Sequence, residues 1–217
     1  MWKRHAVLVC LMVILAGCAA ANESSQSSDT NHPINNGLSS SNHTDEPPID
    51  IVVVPPEQVA GDIIQLLKNK DMLRLAAYIN PVDGVRFSPY GHINTEQDIV
   101  LSAKQLETAL TGNETKIWGS YDGSGEPIEL TFADYFDRFI YTLDYASAGQ
   151  ISYNEIIGKG NTLNNQKEVY PEAFIVEYYD PGTAKNEGID WSSLRIVLEL
   201  VDGEWLCSGI IHDQWTI

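Results

Sequence analysis

The sequence predicts a single α+β domain, with N-terminal helices packed on a curved antiparallel sheet. Three observations lead there. Apolar residues recur with helical spacing through the first half of the domain, as in Val59, Ile63, Ile64, Leu66 and Leu67. After Ile151 the pattern turns to strand-like runs. Near the end, Asp202-Gly203 separates two apolar runs by two residues, a pattern that makes a tight hairpin.

Each element has its own local reason. Pro55-Pro56 followed by Glu57 opens a helix, because proline is tolerated in the first turn and an acid there complements the helix dipole. Asp71 is placed to cap a second, short helix carrying Met72, Leu75, Ala76 and Ile79, which Asn80-Pro81 ends. The stretch "GVRFSPYG" reads as extended, and Ser102 caps a helix expected to run through Leu110. "IWGSY" reads as a strand. Thr131 and Asp134 have the spacing of a capping box, ahead of a helix to about Leu143. On that helix Phe136, Phe139 and Ile140 are expected in the core, with Tyr135, Asp137, Arg138 and Tyr141 solvated. Strands are expected over 151–157, 169–179, 193–201 and 205–217.

Simple alternation sets a register for the last two strands. Val201 faces Glu204, Leu200 faces Trp205, Leu198 faces Cys207, Ile196 faces Gly209 and Leu194 faces Ile211. The face of Leu200, Leu198, Ile196 and Leu194 with their partners is wholly apolar and is assigned to the core. The other face carries Arg195, Val197, Glu199, Val201, Leu206, Ser208, Ile210 and His212. It is mixed, and either half covered or lining a pocket. Asp213 is expected on the side away from His212.

The N-terminal segment gives an address. Lys3 and Arg4 precede an apolar run, Ala6 to Leu15, too short for the roughly 20 residues that span a bilayer. Leu15-Ala16-Gly17-Cys18 resembles the bacterial lipobox, which implies cleavage ahead of Cys18 and a diacylglycerol on its thiol. Residues 1–17 are therefore expected to be a lipoprotein signal peptide and Cys18 the lipid attachment site. Each buried acyl methylene contributes about 0.8 kcal/mol, so more than one chain gives stable anchoring. Residues 18–50, rich in Ser, Asn and Asp, bury too little to offset ordering and read as a disordered tether. Its coil reach is on the order of 30 Å. The domain is residues 51–217. The expected location is the extracytoplasmic face of the cell membrane.

Charge and cysteines narrow the function classes. The formal net charge is −17, and loss of Lys3 and Arg4 makes the mature chain more negative still. Such a surface repels phosphate backbones, so no nucleic acid is expected among its partners. With Cys10 removed and Cys18 lipidated, only Cys207 remains, and no disulfide can form within the mature chain. Cys207 sits in an apolar run and is assigned to the core.

The chemistry-bearing motifs are weak. "DGSG" from Asp122 resembles a calcium loop, but its first and twelfth positions would be Ser120 and Thr131, so both essential acids are missing. "GKGNT" from Gly158 lacks the glycine spacing and Lys-Ser/Thr pair of a phosphate loop. No Cys/His pair has zinc spacing and no G-x-S-x-G elbow occurs. No metal, no cofactor and no catalytic residue is assigned. The candidate ligand-binding residues are His212 and Arg195 on the mixed strand face, with Glu177 on a neighbouring strand.

The order of helix, "NKDMLRLAAYINP" helix, strand, helix and long antiparallel strands resembles the nuclear-transport-factor-2-like, or ketosteroid-isomerase-like, superfamily over about Glu57 to Ile217. That resemblance implies a cone-like fold whose cavity serves enzymes and plain binding modules alike. "GVRFSPYG", "YDGSGEPIELTFADYFDRFIY" and "GIIHDQWTI" are similar to phrases of uncharacterised bacterial lipoproteins. The expected function is a membrane-anchored extracytoplasmic binding or interaction module. The expected partners are the membrane, through the lipid, and an envelope protein or a small molecule. Two alternatives stand beside it: a small cofactor-free cavity enzyme using acid/base chemistry, and an accessory protein for envelope assembly.

Overall fold

A computed structural model describes residues 53–216, all within the unit Ile49–Ile217. Cys18, the signal peptide and the tether lie outside the described residues. Helix α1 (Pro56–Lys68) starts with proline in its first turn and Glu57 beside it, and buries the expected stripe from Val59 to Leu67. Helix α2 (Met72–Leu75) is capped by Asp71, whose side chain accepts from the Arg74 N–H. Strands β1 (Val85–Ser88) and β2 (Ile99–Leu101) follow. Helix α3 (Ala103–Glu107) carries a full capping box between Ser102 and Gln105, and ends sooner than its sequence suggests, passing into a 3-10 turn at Ala109–Thr111.

Strands β3 (Thr115–Ser120) and β4 (Pro127–Thr131) form a separate hairpin around the Asp122–Gly125 turn. Helix α4 (Phe132–Phe139) is capped by Thr131 as expected, but stops four residues short of Leu143. Strand β5 (Gln150–Tyr153) is shorter than expected. Residues 166–169 form a short helix, α5 (Gln166–Val169), in place of the start of a strand. Strands β6 (Phe174–Asp180), β7 (Ser192–Val201) and β8 (Glu204–Gln214) complete the chain.

The architecture is α+β, with α1, α2, α4 and the β3–β4 hairpin against one face of a six-stranded sheet ordered β2-β1-β8-β7-β6-β5. The sheet is mixed and not purely antiparallel, because β1 runs parallel to β8. Between the helices and the sheet lies one large core. Trp118, Tyr135, Phe87 and Phe136 are all fully buried in it, and Trp118 stacks on Tyr135 at 4.1 Å between ring centroids. Tyr135 is thus a core residue, against the expectation of a solvated one. The opposite sheet face carries a smaller cluster of Ile93, Ile175, Val197 and Ile211, covered by Val169, Tyr170 and Ala173.

The β7–β8 register holds as expected from Val201↔Glu204 to Leu198↔Cys207, then shifts. A bulge leaves Ser208 extra, so Val197 pairs with Gly209, Ile196 with Ile210, Arg195 with Ile211 and Leu194 with His212. Beyond the bulge, every β8 side chain is on the face opposite to the one simple alternation gives. No described helix is long and apolar enough to cross a membrane.

Candidate functional site

The bulge separates two of the candidate residues. His212, paired with Leu194, belongs to the helix-covered face, while Arg195 belongs to the other. Arg195 and His212 therefore do not share a face as expected, and the residue that joins Arg195 is Asp213. Glu177 is directly opposite Arg195 on β6, as expected of a neighbouring strand. Arg195 Nε donates to Glu177 Oε1 at 2.9 Å, and one terminal nitrogen donates to Asp213 Oδ2 at 2.8 Å. The same nitrogen donates to the Gly158 carbonyl at 3.0 Å, and the other donates to Asn164 Oδ1 at 2.8 Å. Glu177 also accepts from the Ile157 and Gly158 N–H groups.

All three charged side chains are fully buried. The trio pins Ile157, Gly158 and Asn164 to the sheet, and its hydrogen bonds are made internally. Burial pushes the Asp213 carboxyl up, and the neighbouring guanidinium pulls it back. An arrangement this enclosed is a structural clamp that solvent does not reach.

His212 is equally enclosed. Burial lowers its pKa to about 4, so the ring is neutral at physiological pH. Nδ1 lies 3.0 Å from the Pro89 carbonyl, which can only accept, so Nδ1 carries the proton. Nε2 lies 3.2 Å from Ser192 Oγ. That hydroxyl is 2.6 Å from the Tyr145 hydroxyl, which is 2.8 Å from Thr142 Oγ1. A chain of hydrogen bonds thus crosses the core from Thr142 to Pro89. Phe139 meets the imidazole edge-on at 5.8 Å. Cys207 is buried, as expected, and burial raises its thiol pKa to about 12.

A cleft elsewhere is lined by several polar residues. A cleft of about 250 Å³ opens at the end of β1, between Tyr90, the 92–98 segment and the β3–β4 turn. On its wall is Asp98, 8% exposed. Asp98 Oδ2 accepts from Ser88 Oγ at 2.5 Å and from the Asn94 N–H at 3.0 Å. Oδ1 makes no hydrogen bond with the described residues. Burial raises the carboxyl pKa to about 6, against the pull of those hydrogen bonds and of Arg86 and His92. Thr162, from the clamped segment, lines the same cleft with its hydroxyl unpartnered. The charge of Asp98 reaches the Tyr135 phenol, and burial and that charge both raise its pKa.

Sequence reasoning passed over Asp98. The available signal was the turn: Asn94 Oδ1 accepts from the Glu96 and Gln97 N–H groups, and Asp98 closes the turn from the other side. That marks a loop. It does not reveal that the loop folds back over a sheet end and buries its acid.

No family model and no curated protein matches the chain. Among solved structures it is similar to a protein designated Rd1NTF2_05, carrying five substitutions, with 11% identity over 72% of this chain and 93% of that one, at a TM-score of 0.31. It is also similar to a Xanthomonas campestris protein described as a calcium/calmodulin dependent protein kinase II association domain. There the identity is 12% over 73% of this chain and 84% of that one, again at a TM-score of 0.31. Likenesses this loose fix neither fold family nor function.

Proposed function

We propose that the protein is an extracytoplasmic binding module, held at the cell membrane by a lipid on Cys18, which captures its ligand at the domain surface. The observation that carries the binding reading is the filled interior. Where a cavity fold would be hollow, Trp118, Tyr135, Phe87, Phe136, Ile63 and Leu67 are fully buried against one another. The ionisable trio is sealed as well, so recognition falls to open clefts such as the one at Asp98. The order of helices and strands is similar to that of the nuclear-transport-factor-2-like superfamily, which includes plain binding modules, and this supports the same reading. The separate β3–β4 hairpin and α4 depart from it. Anchoring is supported by the lipobox-like Leu15–Cys18.

Fractionation of cells making the full chain tests the anchor. The wild type should sediment with membranes and be released by detergent, and Cys18→Ser should accumulate as an unlipidated precursor. A Cys18→Ser protein with the same lipid-bearing mature form would overturn the anchor. A thermal-shift screen with neutral, anionic and cationic small molecules, run beside partner capture in envelope extracts, tests the binding half. Stabilisation by none of them, with no partner captured, would overturn it.

A further inference from the structure

We propose that the groove beside the start of β8 is closed by residues 49–52 of this same chain, which add there as a short edge strand. The inference rests on neither the ligand nor the lipid reading. The argument starts from an open strand edge. Asp202-Gly203 makes a two-residue turn, so Val201 and Glu204 form the hydrogen-bonded closing pair, and Leu200↔Trp205 is the next, non-hydrogen-bonded pair. The Trp205 N–H and C=O therefore point away from β7. Two residues on, the Cys207 carbonyl has the same outward aim and accepts from the Asn80 N–H at 3.1 Å. β1 takes up this edge only from Gly209 onward. Ahead of Cys207, no described residue pairs with β8 on that side. A groove of about 300 Å³ runs there, with Val53, Val54, Val59, Tyr78, Trp205 and Leu206 in its lining.

The occupant follows from where the described residues start. Val53 and Val54 are part of the groove, so residues 49–52 approach the domain beside it. The compact unit that holds the domain also begins at Ile49. In "PPIDIVVVPP", Pro47 to Pro56, two proline pairs enclose six residues that each carry a backbone N–H. Proline cannot donate to a ladder, so these pairs bound the strand at both ends. Five of the six enclosed residues are isoleucine or valine, which suit a strand. Four extended residues span about 13 Å, enough to run along Glu204, Trp205 and Leu206. A segment joined directly to the groove meets it at an effective concentration on the order of millimolar or above, which a foreign strand in dilute solution does not reach. An open edge invites pairing with other chains, and the strap removes that edge. The chain toward Cys18 then leaves the domain at Pro48.

The test is amide hydrogen exchange of the full chain, read at the Trp205 backbone N–H. It should exchange at least about tenfold more slowly than in the double variant Ile51→Pro/Val52→Pro, which removes two donors from the strap. The same change further up the chain, Ser39→Pro/Ser40→Pro, should leave Trp205 within about twofold of the wild type. Unchanged exchange in Ile51→Pro/Val52→Pro would overturn the proposal, as would wild-type exchange as fast as in an unstructured peptide. Protection that rises with protein concentration would assign the groove to a second copy and overturn it as well. Should the proline variant fail to fold, Ile51→Asn/Val52→Asn decides by the same readout. An acceleration of about threefold or more supports the strap, and none overturns it.

Discussion

Arg195 donates to Asp213 at 2.8 Å, although strict alternation along β8 would bring His212 to that side of the sheet. The cause is the bulge between the Val197 and Leu198 pairings. One extra residue in one strand exchanges the two faces for everything after it. An acid thereby meets the guanidinium, and the histidine enters the core as a neutral ring. The following measurements test that geometry and its consequences.

Double-mutant cycles should show strong coupling for Arg195 with Asp213 and little for Arg195 with His212. Arg195→Met leaves Glu177 and Asp213 buried without their cation, and should cost about 3–5 kcal/mol. Chemical denaturation of the single and double variants gives the coupling energies. Stronger coupling to His212 would mean that the bulge is misplaced.

Ahead of the bulge the register is unshifted. Leu198 faces Cys207 and is fully buried, while Glu199 faces Leu206 and is half-buried. Leu198→Ala should cost about 2–5 kcal/mol. Glu199→Ala should remain near about 0.5 kcal/mol. Denaturation midpoints returning the reverse order would place the register one residue out.

What was legible in the sequence is what short stretches decide. Pro56 and Glu57 start α1, Asp71, Ser102 and Thr131 cap the helices that follow them, and Asp202-Gly203 turns the hairpin with both residues at positive φ. The bulge was not read, although Gly209 within an apolar strand was a signal for it. Its Cβ would fall 3.2 Å from Val197 Cγ2, so close backbone approach favours glycine there. Tyr135 and Asp98 were missed for a different reason. Each looks polar and solvated in its own segment, and is buried only because distant segments close over it. The trio was half legible: Arg195 and Glu177 stood out as charges in apolar strands, but their third member depended on the bulge.

Gly91 packs against the clamp. An added Cβ would lie 2.5 Å from Asp213 Oδ2 and 2.7 Å from Asn164 Oδ1. Gly91→Ala must therefore push the Asp213 and Asn164 side chains, both partners of Arg195, out of place. The expected result is a loss of about 1–3 kcal/mol in stability, read from urea midpoints. Intact stability would show that these side chains yield freely and that the clamp is soft.

The last prediction concerns pH and opposes two buried groups. The His212 pKa falls to about 4 in the folded state, from 6.5. Below pH 6.5 the unfolded chain takes up a proton that the folded chain refuses until about pH 4, so this histidine weakens stability as pH falls through that window. Asp98 acts in the other direction. Its pKa is about 6 when folded against 3.8. Its contribution is fully present below pH 3.8 and is lost as pH rises toward 6. Each effect is on the order of 3 kcal/mol at most. Together they partly cancel between pH 4 and 6, with Asp213, also raised, on the side of Asp98. Removing one group should expose the other. His212→Gln should be more stable at pH 4 than at pH 6 relative to the wild type, and Asp98→Asn should show the opposite slope. Urea midpoints across pH 4 to 7 measure both. Parallel profiles in the two variants would mean that neither group is buried in the state the structure describes.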